Sequence, residues 1–136
     1  MIRHITAIVA GVGFGWAAVE TISFLGTLIF PASATPGGDA SNHLGWMIGE
    51  LPINALLFKQ LAWFVGAGLS AWLASRIHVT DQIICGALAS LLLLALSVIT
   101  LIINPSPLWF ILLTPLVFLG GAAVGLLPQW RAAQLR

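Results

Sequence analysis

The sequence predicts an all-α membrane protein: a four-transmembrane-helix bundle with a short interfacial amphipathic helix in its first external loop. Three observations predict it. The chain has 136 residues, of which 60% are hydrophobic and only 7% charged, against about 25% charged in soluble domains; its mean hydropathy is +1.06. Four apolar stretches each supply roughly the 20 residues a helix needs to cross a hydrocarbon core of about 30 Å. The arginines fall on one side of a four-span arrangement. A globule this poor in charge has no solvated surface, so lipid is the expected solvent for most of a single transmembrane domain over 1–136.

The first span covers about 5–30 and ends at Pro31. The second covers about 53–75, and Pro52 suits a first helical turn, where its missing N–H is no loss. The third covers about 82–103. Asn104-Pro105-Ser106-Pro107 then reads as a tight turn, because two prolines so close cannot continue a helix. The fourth covers about 108–127, with Pro128 expected to stop it. Pro115 interrupts this span and should bend it near Ile111, with Thr114 available to satisfy a freed carbonyl.

The external loop, 31–52, opens on a turn-rich stretch from Pro31 to Gly38. Asp39 or Ser41 can then cap a short helix. Leu44, Met47, Ile48 and Leu51 recur at i, i+3, i+4 and i+7, the spacing of one helical face. A helix lying on the membrane surface is the expectation, with His43, Trp46 and Glu50 as its interfacial residues. Trp46, Trp109 and Trp130 lie near predicted interfaces, where amphipathic rings prefer to sit.

Arg3, Arg76, Arg131 and Arg136 share one side, and the remaining cation, Lys59, lies inside a span. The positive-inside rule then predicts that both termini are cytoplasmic. Ala32-Ser33-Ala34 resembles a signal-peptidase site. A signal h-region runs about 7–15 residues, whereas this apolar run is far longer and contains Glu20, so an uncleaved span is expected.

Small residues let helix backbones approach in lipid, where no hydrophobic force joins helices. The first span has Ala7, Gly11 and Gly15 at four-residue spacing, with Gly13 beside them; the second has Ala62, Gly66, Ser70 and Ala74; the fourth has Gly121 and Gly125. Gly11, Gly15, Gly66, Ser70, Gly121 and Gly125 are therefore the expected helix-packing residues, either within one bundle or against another subunit. The third span has only Gly86 and the pair Ala89-Ser90, and its run Leu91-Leu92-Leu93-Leu94 is expected to face lipid.

Glu20 is the only acidic residue placed within an apolar span. A carboxylate there costs about 2.5–3.5 kcal/mol on insertion scales, so it needs a partner, a proton or water. Counted from the loop side, Glu20 lies roughly 15 Å and Lys59 roughly 10 Å along their helices at 1.5 Å per residue. Antiparallel neighbours would bring them to similar depth, so a direct or water-bridged Glu20–Lys59 pair is expected. Gln60 points about 100° away from Lys59 on a helix, while Asn54, Ser23, Thr21 and Thr27 could add hydrogen bonds. In one reading the pair neutralises itself and fixes helix register. In another, Glu20 titrates and binds a proton, a cation or a cationic substrate. In a third, Lys59 snorkels to the outer headgroups.

Cys85 is the one cysteine and has no thiol partner. His4, His43 and His78 fall on different sides and cannot converge on a metal, and His43 with Met47 supplies too few ligands. Neither a metal nor any other cofactor is expected. No HExxH, CxxC, phosphate-binding loop or nucleophile motif is present, and Gly11-Val12-Gly13-Phe14-Gly15 lies in a span rather than after a strand. No basic cluster is suited to nucleic acid.

In size, span count and the carboxylate of its first span the chain resembles the small multidrug resistance transporters; the 31–52 loop and the strong charge bias set it apart. Glu20 followed by Phe30-Pro31, Leu51-Pro52, Ala55-Leu56-Leu57, Trp63, Gly66 and Ala74-Ser75-Arg76-Ile77 resembles a group of small uncharacterised bacterial four-span proteins over most of the chain. That resemblance implies a bacterial inner-membrane location and no activity. The expectation is a non-enzymatic membrane protein, an accessory subunit of a larger complex or a homo-oligomeric scaffold, with lipid, other membrane subunits or itself as partners. The alternative is a small oligomeric transporter or channel with Glu20 as its proton or cation coupling site.

Overall fold

A computed structural model describes residues 2–29, 53–77, 82–103 and 107–134. Its elements are all helical: α1 (Ile2–Ile29), α2 (Ile53–Ile77), α3 (Gln82–Ile103) and α4 (Leu108–Gln134). Each is long and apolar enough to cross a membrane, which suggests a multi-pass membrane protein. The expected surface helix, with His43, Trp46 and Glu50, lies outside the described residues, as do His78 and the turn residues 104–106. Pro107 is described, and its carbonyl accepts from Phe110 N at 3.0 Å and Ile111 N at 3.3 Å, which starts α4.

Burial is inverted relative to a soluble protein. Ala, Gly, Ser, Thr and Gln occupy many of the buried positions, while Leu108, Ile102 and Leu112 are 79%, 78% and 74% exposed. In water such an apolar shell would drive association; in hydrocarbon it is the solvated surface, and small side chains inside let backbones touch.

The end of the bundle with residues 2 and 134 is here the terminal end, and the opposite end is the loop end. Helix α2 is the hub. It packs most extensively on α1, then on α4, then on α3, while α1 and α4 barely meet. Gly11 lies against Ser70 and Ala74, Gly15 against Gly66, and Gly26 against Phe58, so α1 and α2 are antiparallel. Gln60 meets Phe110 and Thr114, and Gly68 meets Gly121 and Gly125, so α2 and α4 run parallel. In a square up-and-down bundle α2 and α4 would be diagonal. Here a Cβ on Gly125 would overlap the Gly68 carbonyl oxygen, and one on Gly121 would overlap that of Phe64. Glycine removes that obstacle, so the diagonal closes and the bundle flattens.

Three expectations change. Pro128 does not stop α4, which continues to Gln134. Proline's fixed φ suits a helix, and its cost is one lost bond and a crowded carbonyl four residues back. Nearby, the Gln129 amide, oriented to satisfy its surroundings, donates to Leu126 O at 3.1 Å and Gly125 O at 3.2 Å. The leucine run of α3 does not face lipid as a block: Leu91 and Leu92 are exposed, Leu94 is half-buried and Leu93 is fully buried. Four successive residues sweep roughly 300° of a helix, so one of them had to point inward. Thr114 bonds the Phe110 carbonyl at 2.8 Å rather than that of Ile111; a threonine hydroxyl can reach the carbonyl three or four residues back, and here it takes the latter.

Candidate intramembrane polar site

The aromatic core gives this site its frame. Trp63 of α2 stacks at tilted angles on Phe110 and Phe118 of α4, with ring centroids 5.3 and 5.9 Å apart. Such pairs prefer centroids at about 4.5–7 Å, where ring edge meets ring face. Val19, Leu56, Ala67, Leu93 and Leu101 complete the cluster, with Val12 and Trp16 among the residues packed on it.

Lys59 stands one turn before Trp63 and is half-buried; its Nζ lies 6.0 Å from the Trp63 ring centroid. A cation over an indole face is attracted by the ring quadrupole. The Glu20 carboxylate attracts the same ammonium. Among the described residues, however, no direct contact joins Glu20 to Lys59, and Glu20 is exposed on α1. The cause is geometric. Val19 packs on Gly66 and Gly26 on Phe58, which puts Lys59 nearer the loop end than Glu20. Helical side chains also lean toward their own N-termini. In antiparallel helices, Lys59 therefore leans to the loop end and Glu20 to the terminal end.

The other expected polar contributors behave locally. Thr21 donates to Ala17 O and Thr27 to Phe24 O, each at 2.7 Å. Asn54 is exposed. Ser23 Oγ is buried without a hydrogen-bond partner.

One buried polar contact between helices is one that sequence reasoning did not assign. Gln60 is 4% exposed. Its Nε2 donates to Phe110 O at 3.1 Å and to Thr114 Oγ1 at 3.2 Å. Two donors thus converge on Phe110 O, beside the break in backbone bonding that Pro115 imposes. Gln60 Oε1 is buried and has no hydrogen-bond partner. The available signal was a glutamine inside an apolar span facing a Thr-Pro step in another. A second polar contact closes the terminal end of the same seam: Ser75 Oγ lies 2.7 Å from both Trp72 O and, in the amide orientation above, Gln129 Oε1, so its one proton is shared.

The remaining packing candidates are each accounted for by a neighbour. Gly11, Gly15, Gly66 and Ser70 line the α1–α2 seam, and Gly121 and Gly125 line the α2–α4 seam. Gly13 has nothing within 4 Å of where a Cβ would stand. Cys85 is buried. Trp109 and Trp130 are exposed at opposite ends of α4. No protein-family model matches this chain, and no curated protein or solved structure matches it.

Proposed function

We propose that this chain is a non-enzymatic integral membrane protein that works as a subunit of a larger membrane assembly, with other proteins or with copies of itself. The observation that carries the reading is Glu20. It is exposed on α1, with no direct partner among the described residues. A carboxylate on a lipid-facing helix surface costs several kcal/mol unless something meets it. A cation or hydrogen-bond donor on a neighbouring transmembrane segment would meet it. The inner-membrane location and cytoplasmic termini inferred from the arginines belong to the same proposal, as does kinship with small uncharacterised bacterial four-span proteins.

The test is native mass spectrometry of the protein in lipid nanodiscs drawn from its own host, for wild type and Glu20→Gln. A defined mass above that of one chain, lost in the variant, supports the reading. A monomer in both, with equal thermal stability, overturns it.

A second reading, an oligomeric proton- or cation-coupled transporter, is favoured by the same exposure, because a carboxylate without a direct contact to Lys59 is open to a ligand at a shared interface. Glu20→Gln would then keep the assembly but abolish proton flux across proteoliposomes carrying a pH-sensitive dye inside.

A further inference from the structure

On the flank of the α2–α4 seam lies an open groove of about 400 Å³ with almost wholly apolar walls, far larger than the roughly 30 Å³ share of one water molecule. Gly68, Gly121 and Gly125 form its floor, and Phe64, Trp72 and Val124 its walls. The glycines bring the two backbones together beneath it, and the larger side chains of Phe64, Trp72 and Val124 stand around that close approach. Phe64 to Trp72 spans about 12 Å at 1.5 Å per residue, a large part of one leaflet.

At the terminal end of the trench stand two cations. Arg76 is exposed, and its guanidinium lies 5.5 Å from the centroid of the Trp72 ring, so it folds back onto the trench wall. Arg131 is also exposed. It follows Val124, a wall residue, by seven positions, two turns along the same flank of α4. Ser75 touches Gln129, so the two parallel helices are level there and Arg76 and Arg131 share one depth. Glu20 is the only carboxylate on the four helices, and it lies on α1, which barely meets α4. An apolar trench leading to two guanidinium groups at headgroup depth matches the chemistry of one ligand: an acyl chain attached to an anionic phosphodiester.

We propose that the α2–α4 trench is a binding site for an anionic glycerophospholipid, with one acyl chain against Gly68, Gly121 and Gly125 and the phosphate held by Arg76 and Arg131. Arginine suits that task because its planar fork can engage two phosphate oxygens. The site requires that the chain lie in a bilayer and does not depend on either functional reading of Glu20.

The experiment is native mass spectrometry of the full chain in detergent, titrated with dioleoylphosphatidylglycerol or dioleoylphosphatidylcholine. Each arginine is expected to contribute about fivefold in preference for the anionic lipid. Arg76→Gln with Arg131→Gln should therefore abolish that preference while leaving thermal stability unchanged. Val124→Trp, which fills the trench from an exposed position, should reduce retention of both lipids. Equal binding of the two lipids by wild type, or an unchanged preference in the double arginine variant, overturns the proposal. So does a dimer of this chain that Val124→Trp dissolves without any change in lipid retention, because the trench would then seat a second copy.

Discussion

The two principal seams of α2 are built differently. Against α1 the contact is broad and rests on small residues, Gly11, Gly15, Gly66 and Ser70. Against α4 it is narrower, yet the glycines Gly121 and Gly125 bring backbones closer still than the glycines of the α1 seam do, and polar contacts stand at both ends, Gln60 with Phe110 and Thr114 and Ser75 with Gln129. The α1 seam gains area; the α4 seam gains register. Dispersion is nearly indifferent to a small slide along a helix, whereas a hydrogen bond to one particular carbonyl is not.

The comparison can be broken most severely at Gly125. A Cβ there overlaps a backbone oxygen, which cannot swing aside, so Gly125→Val should force α4 off α2. We expect a loss at or above the upper end of the roughly 1–3 kcal/mol typical of overpacking, read as thermal unfolding in detergent. Gly66→Val tests the other seam. Its Cβ meets the Val19 side chain first, which can shift, and then the Gly15 carbonyl oxygen at 2.9 Å; that backbone contact is looser than the one at Gly125, so a smaller loss of about 1–2 kcal/mol is expected. If Gly66→Val costs more than Gly125→Val, the ranking of the seams is wrong.

Gln60→Leu sharpens the comparison rather than breaking it. It removes two hydrogen bonds, each worth about 0.6 kcal/mol on average in membranes. It also removes an oxygen that is buried without a partner, which offsets part of that loss. The expected net cost is about 0.5–1 kcal/mol. Disulfide trapping of cysteine pairs placed across the seam should show α4 in more than one register relative to α2; a single retained register would mean that glycine packing alone sets it. The smallest effect belongs to Gly13→Ala. With open space at that position, the variant should change unfolding by no more than a gain of about 0.5–1 kcal/mol, the helix-propensity difference.

The α3 boundaries were legible because apolar run length and prolines mark where a helix can begin and end in lipid. α1 and α2 start and stop within a few residues of the reading for the same reason. Pro128 does not end the helix because proline's fixed φ suits a helix and its cost, one lost bond, is finite, a balance that spacing alone does not reveal. The polar site was legible in part. Glu20 and Lys59 stand out by charge alone, but their relative depth depends on how α1 slides along α2. Gln60 lacked a charge to draw notice, and its partner lies 50 residues away.

Taken alone, the sequence determined that four helices form, where each is apolar enough for lipid, and which faces are smooth enough to pack. These follow from local composition and from the 3.6-residue period, which every helix carries with it. Tertiary structure decided that α2 is the hub, that α4 closes across the diagonal, that Leu93 is core, and that Glu20 faces outward while Gln60 faces in. Each of those depends on the rotation and axial offset of one helix against another. In a lipid medium that treats apolar faces nearly alike, only the close fit of specific backbones and a few hydrogen bonds can choose among them.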